Sequence, residues 1–251
     1  MGKTLKETGE FNLIRRIQKK TPAAPSVIVG IGDDTAVLKT PPGQELLFTT
    51  DMLLEDRHFR LCEATAYEIG WKALAVNVSD IAAMGGWPTH AVISLGLPGE
   101  LETDFVDEFY RGFQALARRY KISLVGGDTN RSDKVVVSVA LLGRVSKKNL
   151  LRRSDAVAGD VIFVSGALGG SYASHKHLNF MPRLDEAQFL VKNFKLHSMM
   201  DISDGLASDI HRIAEASGTA AWLSAESIPV SDSARDLNAA LTDGEDFELL
   251  F

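Results

Sequence analysis

Residues 72–84 have the sequence KALAVNVSDIAAM, in which one carboxylate, Asp80, stands among alanine, valine, isoleucine and methionine. This composition predicts a mostly apolar helix over residues 65–84 that ends at Gly85 and Gly86. A carboxylate within such a helix is costly unless a cation compensates its charge. Lys72 supplies the only cationic side chain of the stretch, so Asp80 is hard to explain as a purely structural residue.

Predicted strands and helices alternate along the rest of the chain. Strands are predicted at 27–31, 46–50, 90–97, 122–125, 134–143, 161–164, 198–202 and 220–223, and further helices at 9–20, 102–120 and 205–217. This alternation favours an α/β class. A change from basic residues at 144–153 to a polar stretch at 155–160 indicates a boundary. We therefore expect one domain over residues 1–148 and a second over residues 149–251.

The composition argues against several classes of function. The chain has 251 residues, 45% of them hydrophobic, and a net charge of −6 without a dense basic run, which is atypical of proteins that bind nucleic acid. Its single cysteine, Cys62, excludes an intrachain disulfide, and we expect this residue in the core. No apolar run is long enough to span a membrane and the first residues form no signal segment, so a cytoplasmic location is expected.

One more expectation about the second domain concerns the last residues of the sequence. The chain stops at Phe251, inside the apolar run 247–251. Such a run is typical of a strand in the interior of a domain. We therefore expect the C-terminal domain to be incomplete at its C-terminus.

Aspartates recur in one setting, a turn of small residues that follows an apolar strand or helix. The segments are Gly30–Asp34, Phe48–Asp51, Val76–Asp80, Leu124–Asp128 and Met200–Gly205, with a further acidic segment at Asp243–Asp246. Carboxylates and hydroxyls are the ligands that Mg²⁺ prefers, and neighbouring glycines let the backbone approach phosphate. Each segment alone is also explained by turn or cap chemistry, and Asp204 is the clearest candidate for a helix cap. Together they favour a metal site.

Other devices for binding phosphate are missing from the sequence. No P-loop motif occurs, and the set of protein-kinase motifs is absent as well. Gly30-Ile31-Gly32 begins like a dinucleotide-binding fingerprint, but Thr35 stands where its third glycine belongs. A metal-dependent phosphate site therefore has to be built from the aspartate segments themselves.

Five segments in order resemble the thiamine-monophosphate kinases, a branch of the aminoimidazole-ribonucleotide synthetase-like superfamily. They are Gly30–Ala36 (GIGDDTA), Lys72–Met84 (KALAVNVSDIAAM), Gly126–Arg131 (GGDTNR), Asp201–Asp209 (DISDGLASD) and Gly244–Leu249 (GEDFEL). The resemblance implies a two-domain α/β (α+β) fold with mixed sheets packed against helices. It further implies an N-terminal domain that binds ATP and metal and pairs into a homodimer. The implied reaction is direct in-line transfer of the γ-phosphoryl group of ATP to thiamine monophosphate, giving thiamine diphosphate and ADP.

The same resemblance implies a role for each matching residue. Several Mg²⁺ ions would be held by Asp34, Thr49, Thr50, Asp51, Asp80, Asp128, Asp201 and Asp204, and the catalytic members would be Asp51, Asp80 and Asp128. ATP would contact Gly127, Asp128, Arg153 and Ser203, with Arg152 as an equally basic neighbour of Arg153. The thiamine substrate would contact His58 and Glu245.

Three alternatives remain open on the sequence alone. The chain is another kinase or ATP-dependent synthetase of the superfamily with a different small substrate, or a homologue that binds Mg-ATP without catalysis. The third alternative is a structural domain whose aspartates only cap turns. For the kinase interpretation, the acceptor phosphate is already anionic, so positioning and charge neutralisation matter more than a strong general base.

Overall fold

The computed structural model describes residues 16–17, 19–22, 24–29, 37–38 and 42–251 of the chain. Within these residues the chain forms two compact units. Unit 1 takes its residues from 1–77 and 88–144, and unit 2 comprises residues 78–87 and 145–251. The predicted domain limits at 148 and 149 stay a prediction.

Unit 1 is built on a four-stranded sheet. Its strands are β3 (Gln44–Leu54), β4 (Trp87–Leu97), β5 (Ser123–Arg131) and β6 (Val136–Ser146), and two short strands, β1 (Val27–Val29) and β2 (Val37–Leu38), pair separately as an antiparallel ladder. The order across the sheet is β3-β6-β4-β5, so β3 and β5 form its two edges. Strands β4 and β5 run parallel, and Ser94 lies opposite Asp128 in their register.

Two long helices accompany this sheet, α1 (Ala66–Ala83) and α2 (Thr103–Tyr120). At the start of α1, the Thr65 N–H donates to Glu68 Oε2 (2.8 Å) and the Glu68 N–H donates to Thr65 Oγ1 (3.2 Å). This reciprocal pair satisfies two backbone donors that a helix start leaves open. Helix α2 ends at Lys121, which adopts the left-handed conformation. The helices predicted at 65–84 and 102–120 are confirmed.

Glycines let the backbones of α1 and α2 touch. A β-carbon added at Gly70 would lie 1.9 Å from the Phe109 carbonyl oxygen, and one added at Gly112 would lie 1.9 Å from that of Tyr67. Real side chains do not tolerate such distances, so only glycine fits at both points of the crossing. Buried aromatic residues of α2, including Phe109 and Phe113, complete the core of unit 1.

Unit 2 has shorter elements around a separate core. They are α3 (Lys176–Asn179), α4 (Leu184–Asn193), β7 (Met200–Asp201), α5 (Leu206–Ser217), α6 (Leu237–Thr242) and β8 (Leu249–Leu250). Strands β7 and β8 pair antiparallel, with Met200 opposite Leu250 and Asp201 opposite Leu249. The apolar cluster around this pair consists of Leu168, Met200, Ile202, Leu206, Ile210, Ile213, Ala240 and Leu250. The mixed sheets and helices of the two units confirm the α/β class.

Two of the predicted strands are wrong. Residues 161–164 form no strand; the pairing there is an isolated bridge between Val164 and Leu250, flanked by two backbone hydrogen bonds between Phe163 and Phe251 (2.7 and 3.0 Å). Residues 220–223 form no strand either; Trp222 is 92% exposed, while Leu223 packs against the apolar cluster of unit 2. Of the helix predicted at 9–20, residues 16–17 and 19–20 are helical and the rest lies outside the described residues.

Two further expectations concern Cys62 and membrane-spanning segments. Cys62 is exposed, so its predicted place in the core is wrong; it lies in the turn segment that follows β3 rather than on an element facing the core. Among the described residues, no helix is both long enough and apolar enough to cross a membrane.

The glycine contact between α1 and α2 predicts the effect of Gly112→Ala. Helix propensity alone favours alanine by about 1 kcal/mol. The collision with the Tyr67 carbonyl outweighs this gain, so we expect a net loss of about 2 kcal/mol in the free energy of unfolding. Urea unfolding followed by circular dichroism measures it. Gly99→Ala is the control, because its added β-carbon meets no atom closer than 3.6 Å, and equal stability of the two variants would contradict the explanation.

Candidate active site

The predicted metal residues of unit 2 begin at the end of α1. Ser79 is buried, and its hydroxyl donates a 2.6 Å hydrogen bond to Oδ2 of Asp201 on β7. Asp80 follows Ser79 directly and is half-buried. The Ser79–Asp201 bond thus brings Asp201 to the residue that precedes Asp80 in the chain.

Backbone hydrogen bonds join the segment after β7 to the segment before β8. The Glu245 N–H donates to the Ser203 carbonyl (2.7 Å), the Phe247 N–H to the Ile202 carbonyl (2.8 Å), and the Ile202 N–H to the Glu248 carbonyl (2.8 Å). These bonds extend the β7–β8 pairing beyond the two strands. They place Ser203, the predicted ATP contact, beside Glu245, the predicted substrate contact.

The segment before β8 has an unusual backbone. Gly244, Glu245 and Phe247 have φ angles of 71°, 54° and 49°, in the left-handed region that non-glycine residues rarely adopt. A β-carbon at Gly244 would lie 2.8 Å from the Ser203 carbonyl oxygen, so the two segments approach each other through this glycine. The Phe247 ring stacks on Phe180 at 4.2 Å between centroids. Backbone strain of this kind is concentrated at functional sites.

The turn between β7 and α5 is organised by Asp209, which the sequence analysis did not single out. Asp209 is fully buried in the first turn of α5, and its Oδ2 accepts from the backbone N–H groups of Ser203 (3.0 Å) and Asp204 (3.1 Å). Burial raises the pKa of Asp209 above its ordinary value, although the two N–H donors and Arg212 act in the opposite direction. A lone aspartate in an amphipathic helix gives no sequence signal for this role.

Asp204 does not cap α5, so the cap interpretation is wrong. The N-cap position is occupied by Gly205, whose backbone has φ 100°, and no side chain caps this helix. The Asp204 carboxylate forms an ion pair with Arg212, which also donates to Asp209 Oδ1 (3.3 Å). Asp204 is exposed, and it therefore presents a carboxylate at the surface of the turn.

A second buried carboxylate, Asp246, anchors the loop at residues 169–171. Its oxygens accept from the Gly169 N–H (2.9 and 3.0 Å) and from the Ser171 hydroxyl (2.9 Å). Burial raises the pKa of Asp246, while the backbone and hydroxyl donors lower it in part. The loop is therefore fixed to the residue next to Glu245.

Glu248 is the third buried carboxylate of unit 2 and has two cationic partners. Arg183 binds both of its oxygens (2.7 Å each), Lys176 Nζ lies 2.8 Å from Oε1, and the Ser165 hydroxyl donates to Oε2 (2.6 Å). Burial pushes the pKa of Glu248 upward, but the bonds from Arg183, Lys176 and Ser165 outweigh it and hold the pKa below its ordinary value. Glu248 is thus an ionised carboxylate in the interior.

In unit 1 the predicted residues lie on the two edge strands. Thr49, Thr50 and Asp51 are on β3, and Gly127 and Asp128 are on β5, so the sheet order separates the two groups by two strands. The Thr50 hydroxyl donates to the Val139 carbonyl of β6 (3.0 Å), and Asp128 Oδ2 accepts from the Asn130 side chain (2.6 Å). Unit 1 therefore does not bring these residues into one cluster.

Glycine at 127 has a packing reason of its own. A β-carbon there would lie 2.1 Å from the carbonyl oxygen of Ile93 on β4. The close approach of the β4 backbone accounts for the second glycine of the GGD motif, whether or not a ligand binds beside it. Asp128 follows on the exposed part of the strand.

His58 sits in a tight turn after β3. Its Nδ1 accepts from the Leu54 N–H (3.0 Å), and the buried Lys72 Nζ donates to the His58 carbonyl (2.8 Å). With Nδ1 used as an acceptor, the neutral ring carries its proton on Nε2. Lys72 thus holds the His58 turn through this carbonyl.

The two candidate arginines at the start of unit 2 differ in their partners. Arg152 Nε pairs with Asp155 (2.8 Å). The Arg153 carbonyl accepts from the hydroxyls of Ser217 (2.6 Å) and Ser198 (3.4 Å), which ties its backbone to α5 and to the segment before β7. Both side chains are exposed.

The predicted metal set is spread over several segments. Asp34 lies outside the described residues. In the part of the chain that the structure describes, no three His, Cys, Asp or Glu side chains come together closely enough to form a metal site by themselves. Any metal bound by the described residues therefore needs further ligands, such as hydroxyls, water or the phosphates of a substrate.

Comparison with known families defines the class of protein. Residues 32–145 match the family "AIR synthase related protein, N-terminal domain", and residues 157–251 match "AIR synthase related protein, C-terminal domain". The chain therefore has the two domains of the AIR synthase related proteins in their usual order, which confirms the two-domain fold class expected from the sequence.

Relatives within this class identify the family. A thiamine-monophosphate kinase from Rhodopirellula baltica is 37% identical over 96% of this chain and 81% of its own length. The crystal structure of a thiamine-monophosphate kinase from Stenotrophomonas maltophilia K279a is 36% identical, with a TM-score of 0.84 over 97% of this chain and 85% of that one. AaThiL in complex with AMPPCP and TMP is 36% identical, with a TM-score of 0.79 over 99% and 86%. The chain belongs to the thiamine-monophosphate kinase family.

The ion cluster around Glu248 predicts a pH-dependent stability. Replacing Glu248 with glutamine leaves Arg183 and Lys176 without their buried anion, and we expect a loss of about 2–3 kcal/mol at pH 7. Because the folded pKa of Glu248 is lowered, its contribution is complete above the unfolded carboxyl pKa and disappears as the pH falls through the folded value. The stability difference between wild type and Glu248→Gln should therefore shrink below about pH 4.3.

Denaturant unfolding between pH 3 and pH 7 measures this difference. Glu186→Gln is the control, since Glu186 also pairs with Arg183 (3.0 Å) but is 44% exposed. We expect it to cost at most about 0.5 kcal/mol. A Glu248→Gln deficit that stays constant over the whole pH range would refute the assignment of an ionised buried glutamate.

Proposed function

We propose that this chain transfers the γ-phosphoryl group of ATP to the phosphate of thiamine monophosphate, producing thiamine diphosphate and ADP in one in-line step. The proposal rests on membership of the thiamine-monophosphate kinase family and on a family member solved with AMPPCP and TMP. The observation that carries it to this chain's own residues is the Ser203–Glu245 hydrogen bond. That bond places the proposed ATP contact and the proposed substrate contact side by side in unit 2.

The proposed roles of the residues follow the family resemblance. Ser203, Gly127, Asp128 and Arg153 contact ATP, and His58 and Glu245 contact thiamine monophosphate. For the choice between neighbours, the Arg152–Asp155 pair favours Arg153, because Arg152 already has an acidic partner. In the neutral ring of His58 the proton is on Nε2, and an Nε2–H group is a suitable donor to a phosphate oxygen.

Divalent metal is the natural counter-charge of two phosphate substrates, and we propose Mg²⁺. The donor set consists of oxygen atoms, from Asp80, Asp201 and Asp204 in unit 2 and from Thr49, Thr50, Asp51 and Asp128 in unit 1, with Asp34 as a further ligand. Oxygen donors without histidine or cysteine suit a hard cation such as Mg²⁺. Bound Mg²⁺ neutralises phosphate charge and orients the two reacting groups.

The transfer itself requires no general base from the protein. The acceptor is a phosphate oxygen that carries negative charge at neutral pH, so no residue has to remove a proton from it. The barrier lies in bringing two anions into line, and an enzyme lowers it by positioning and by charge neutralisation. Asp51, Asp80 and Asp128 are proposed as catalytic because they would hold the metal ions at the reacting phosphates.

We further propose that the active form is a homodimer that pairs through unit 1. Strand β3 lies at an edge of the sheet, and its side chains alternate between a covered face and an exposed face. The exposed face carries Leu46, Phe48, Met52 and Leu54, with Phe48 72% exposed. A row of large apolar side chains on one sheet face is typical of a protein–protein contact, and a second copy of the chain supplies a matching row by two-fold symmetry.

The reaction itself is tested with purified protein, ATP and MgCl₂. We expect thiamine diphosphate and ADP to form in equal amounts from thiamine monophosphate, and neither to form when EDTA replaces the metal. Free thiamine serves as the control acceptor and should not stimulate ADP release, because it lacks the phosphate that attacks. Release of ADP with another acceptor, and none with thiamine monophosphate, would overturn the proposal.

The dimer is tested by Phe48→Asp. A charge in the apolar row of β3 should be poorly tolerated in a contact between subunits, so we expect this variant to be monomeric at concentrations where the wild type is dimeric. Light scattering coupled to gel filtration measures the mass. Trp222→Asp, at a 92% exposed site of unit 2, should leave the dimer intact. A wild-type chain that is monomeric at every accessible concentration would contradict the model of pairing.

A further inference from the structure

One buried carboxylate oxygen organises the turn that follows β7. Oδ2 of Asp209 accepts both consecutive N–H groups of this turn, those of Ser203 (3.0 Å) and Asp204 (3.1 Å). Hydrogen bonds from N–H groups to a carboxylate are stronger than those to a neutral acceptor. The two peptide planes are therefore held in one orientation from inside unit 2.

The other side of the same turn is held by the segment before β8. The Ser203 carbonyl accepts from the Glu245 N–H (2.7 Å), and Gly244 approaches the same oxygen so closely that a β-carbon would lie 2.8 Å away. Ser203 thus has its N–H bound to Asp209 and its carbonyl bound to Glu245. Because the N–H and the carbonyl of Ser203 are both held, its side chain is left mainly with rotation about χ1.

Asp209 itself cannot contact a ligand that binds at the surface. It has no exposed surface, and Oδ1, the oxygen that does not bind the turn, faces Arg212 Nη1 (3.3 Å). Arg212 also forms the ion pair with Asp204. The arginine therefore links the buried carboxylate to the exposed one, and Asp209 acts on Asp204 through both the backbone and this guanidinium group.

We propose that Asp209 is a positioning residue for Mg-ATP, which orients Ser203 and Asp204 by binding their backbone N–H groups. The inference rests on the proposed function, since it takes Ser203 as an ATP contact and Asp204 as a metal ligand. Residues that orient metal ligands from behind affect metal affinity or activity between about 10-fold and 100-fold when removed. Asp209→Ala leaves the two N–H groups without an acceptor, and the turn is then free to take other conformations.

The test measures Mg-ATP binding directly, by calorimetry on the whole protein. We expect Asp209→Ala to weaken Mg-ATP binding by about 10-fold to 100-fold. Asp209→Asn keeps one oxygen acceptor but loses the charge, so it should weaken binding by several-fold and lie between Asp209→Ala and the wild type. In both variants the Ser203 and Asp204 amides should exchange with deuterium faster than in the wild type. The increase should be larger in Asp209→Ala than in Asp209→Asn.

A matched control separates positioning from loss of stability. Asp236 also uses a carboxylate to accept a backbone N–H, that of Ala239 (2.9 Å) at the start of α6. Asp236→Ala should lower the stability of the protein, typically by about 1 kcal/mol, without changing Mg-ATP affinity. The apparent KM for thiamine monophosphate should stay unchanged in the Asp209 variants.

Three outcomes would overturn the inference. They are wild-type Mg-ATP affinity in Asp209→Asn, an equal loss of affinity in Asp236→Ala, and an increase in the KM for thiamine monophosphate as large as the loss of Mg-ATP affinity. The first of these is decisive even where Asp209→Ala fails to fold. Because calorimetry needs no acceptor, a chain that binds Mg-ATP but does not phosphorylate thiamine monophosphate would refute the proposed function and still leave the role of Asp209 measurable.

Discussion

The pairing of residues 200–203 with residues 245–250 is the contact on which the arrangement of unit 2 depends. It begins as a two-residue strand pair and continues through three backbone hydrogen bonds into irregular segments on either side. A pairing this short is not stable by itself. The apolar cluster around Met200, Ile202 and Leu250 stabilises it, so the geometry of the turn after β7 follows from the packing beneath it.

Three buried carboxylates hold separate segments of unit 2 in place. Asp209 holds the turn after β7, Asp246 holds the loop at 169–171, and Glu248 holds Lys176 and Arg183. Asp209 and Asp246 accept backbone N–H groups, which gives irregular backbone the partners that a helix or sheet would otherwise provide, whereas Glu248 binds cationic side chains. Precise loop geometry is obtained here with polar groups, at the expense of burying charge.

The sequence predicted the long elements well, because their signals are local. Helix α1 is fixed by its apolar composition, by the Thr65–Glu68 start and by the two glycines at its end, all within 22 residues of sequence. The segments 161–164 and 220–223 have the same apolar character as a strand. Whether such a segment becomes a strand depends on a partner that is distant in sequence, and four residues do not encode that partner. Asp204 shows the same limit, since its sequence setting resembles a cap although Gly205 occupies that position.

The site was predictable as a list of residues and much less as an arrangement. Family motifs pointed to Asp80, Asp201, Ser203 and Glu245, and the Ser79–Asp201 and Ser203–Glu245 bonds that join them are visible only in three dimensions. Asp209 lay inside one quoted motif without being assigned a role, because the groups that it holds in the turn are backbone N–H groups, which leave no mark in a sequence. The placement of Asp51 and Asp128 on opposite edges of a sheet was likewise beyond the motifs.

The left-handed backbone at Glu245 and Phe247 bears on how these positions respond to mutation. Glycine adopts such φ angles without penalty and asparagine at little cost, so either one relaxes the chain where the native residue strains it. In a saturation library scored for folding alone, glycine or asparagine should therefore gain over the native residue at 245, whereas at 247 the relaxed backbone competes with the packing of a buried ring. At Phe247 the stacking of the ring on Phe180 opposes the preference of the backbone for a smaller residue.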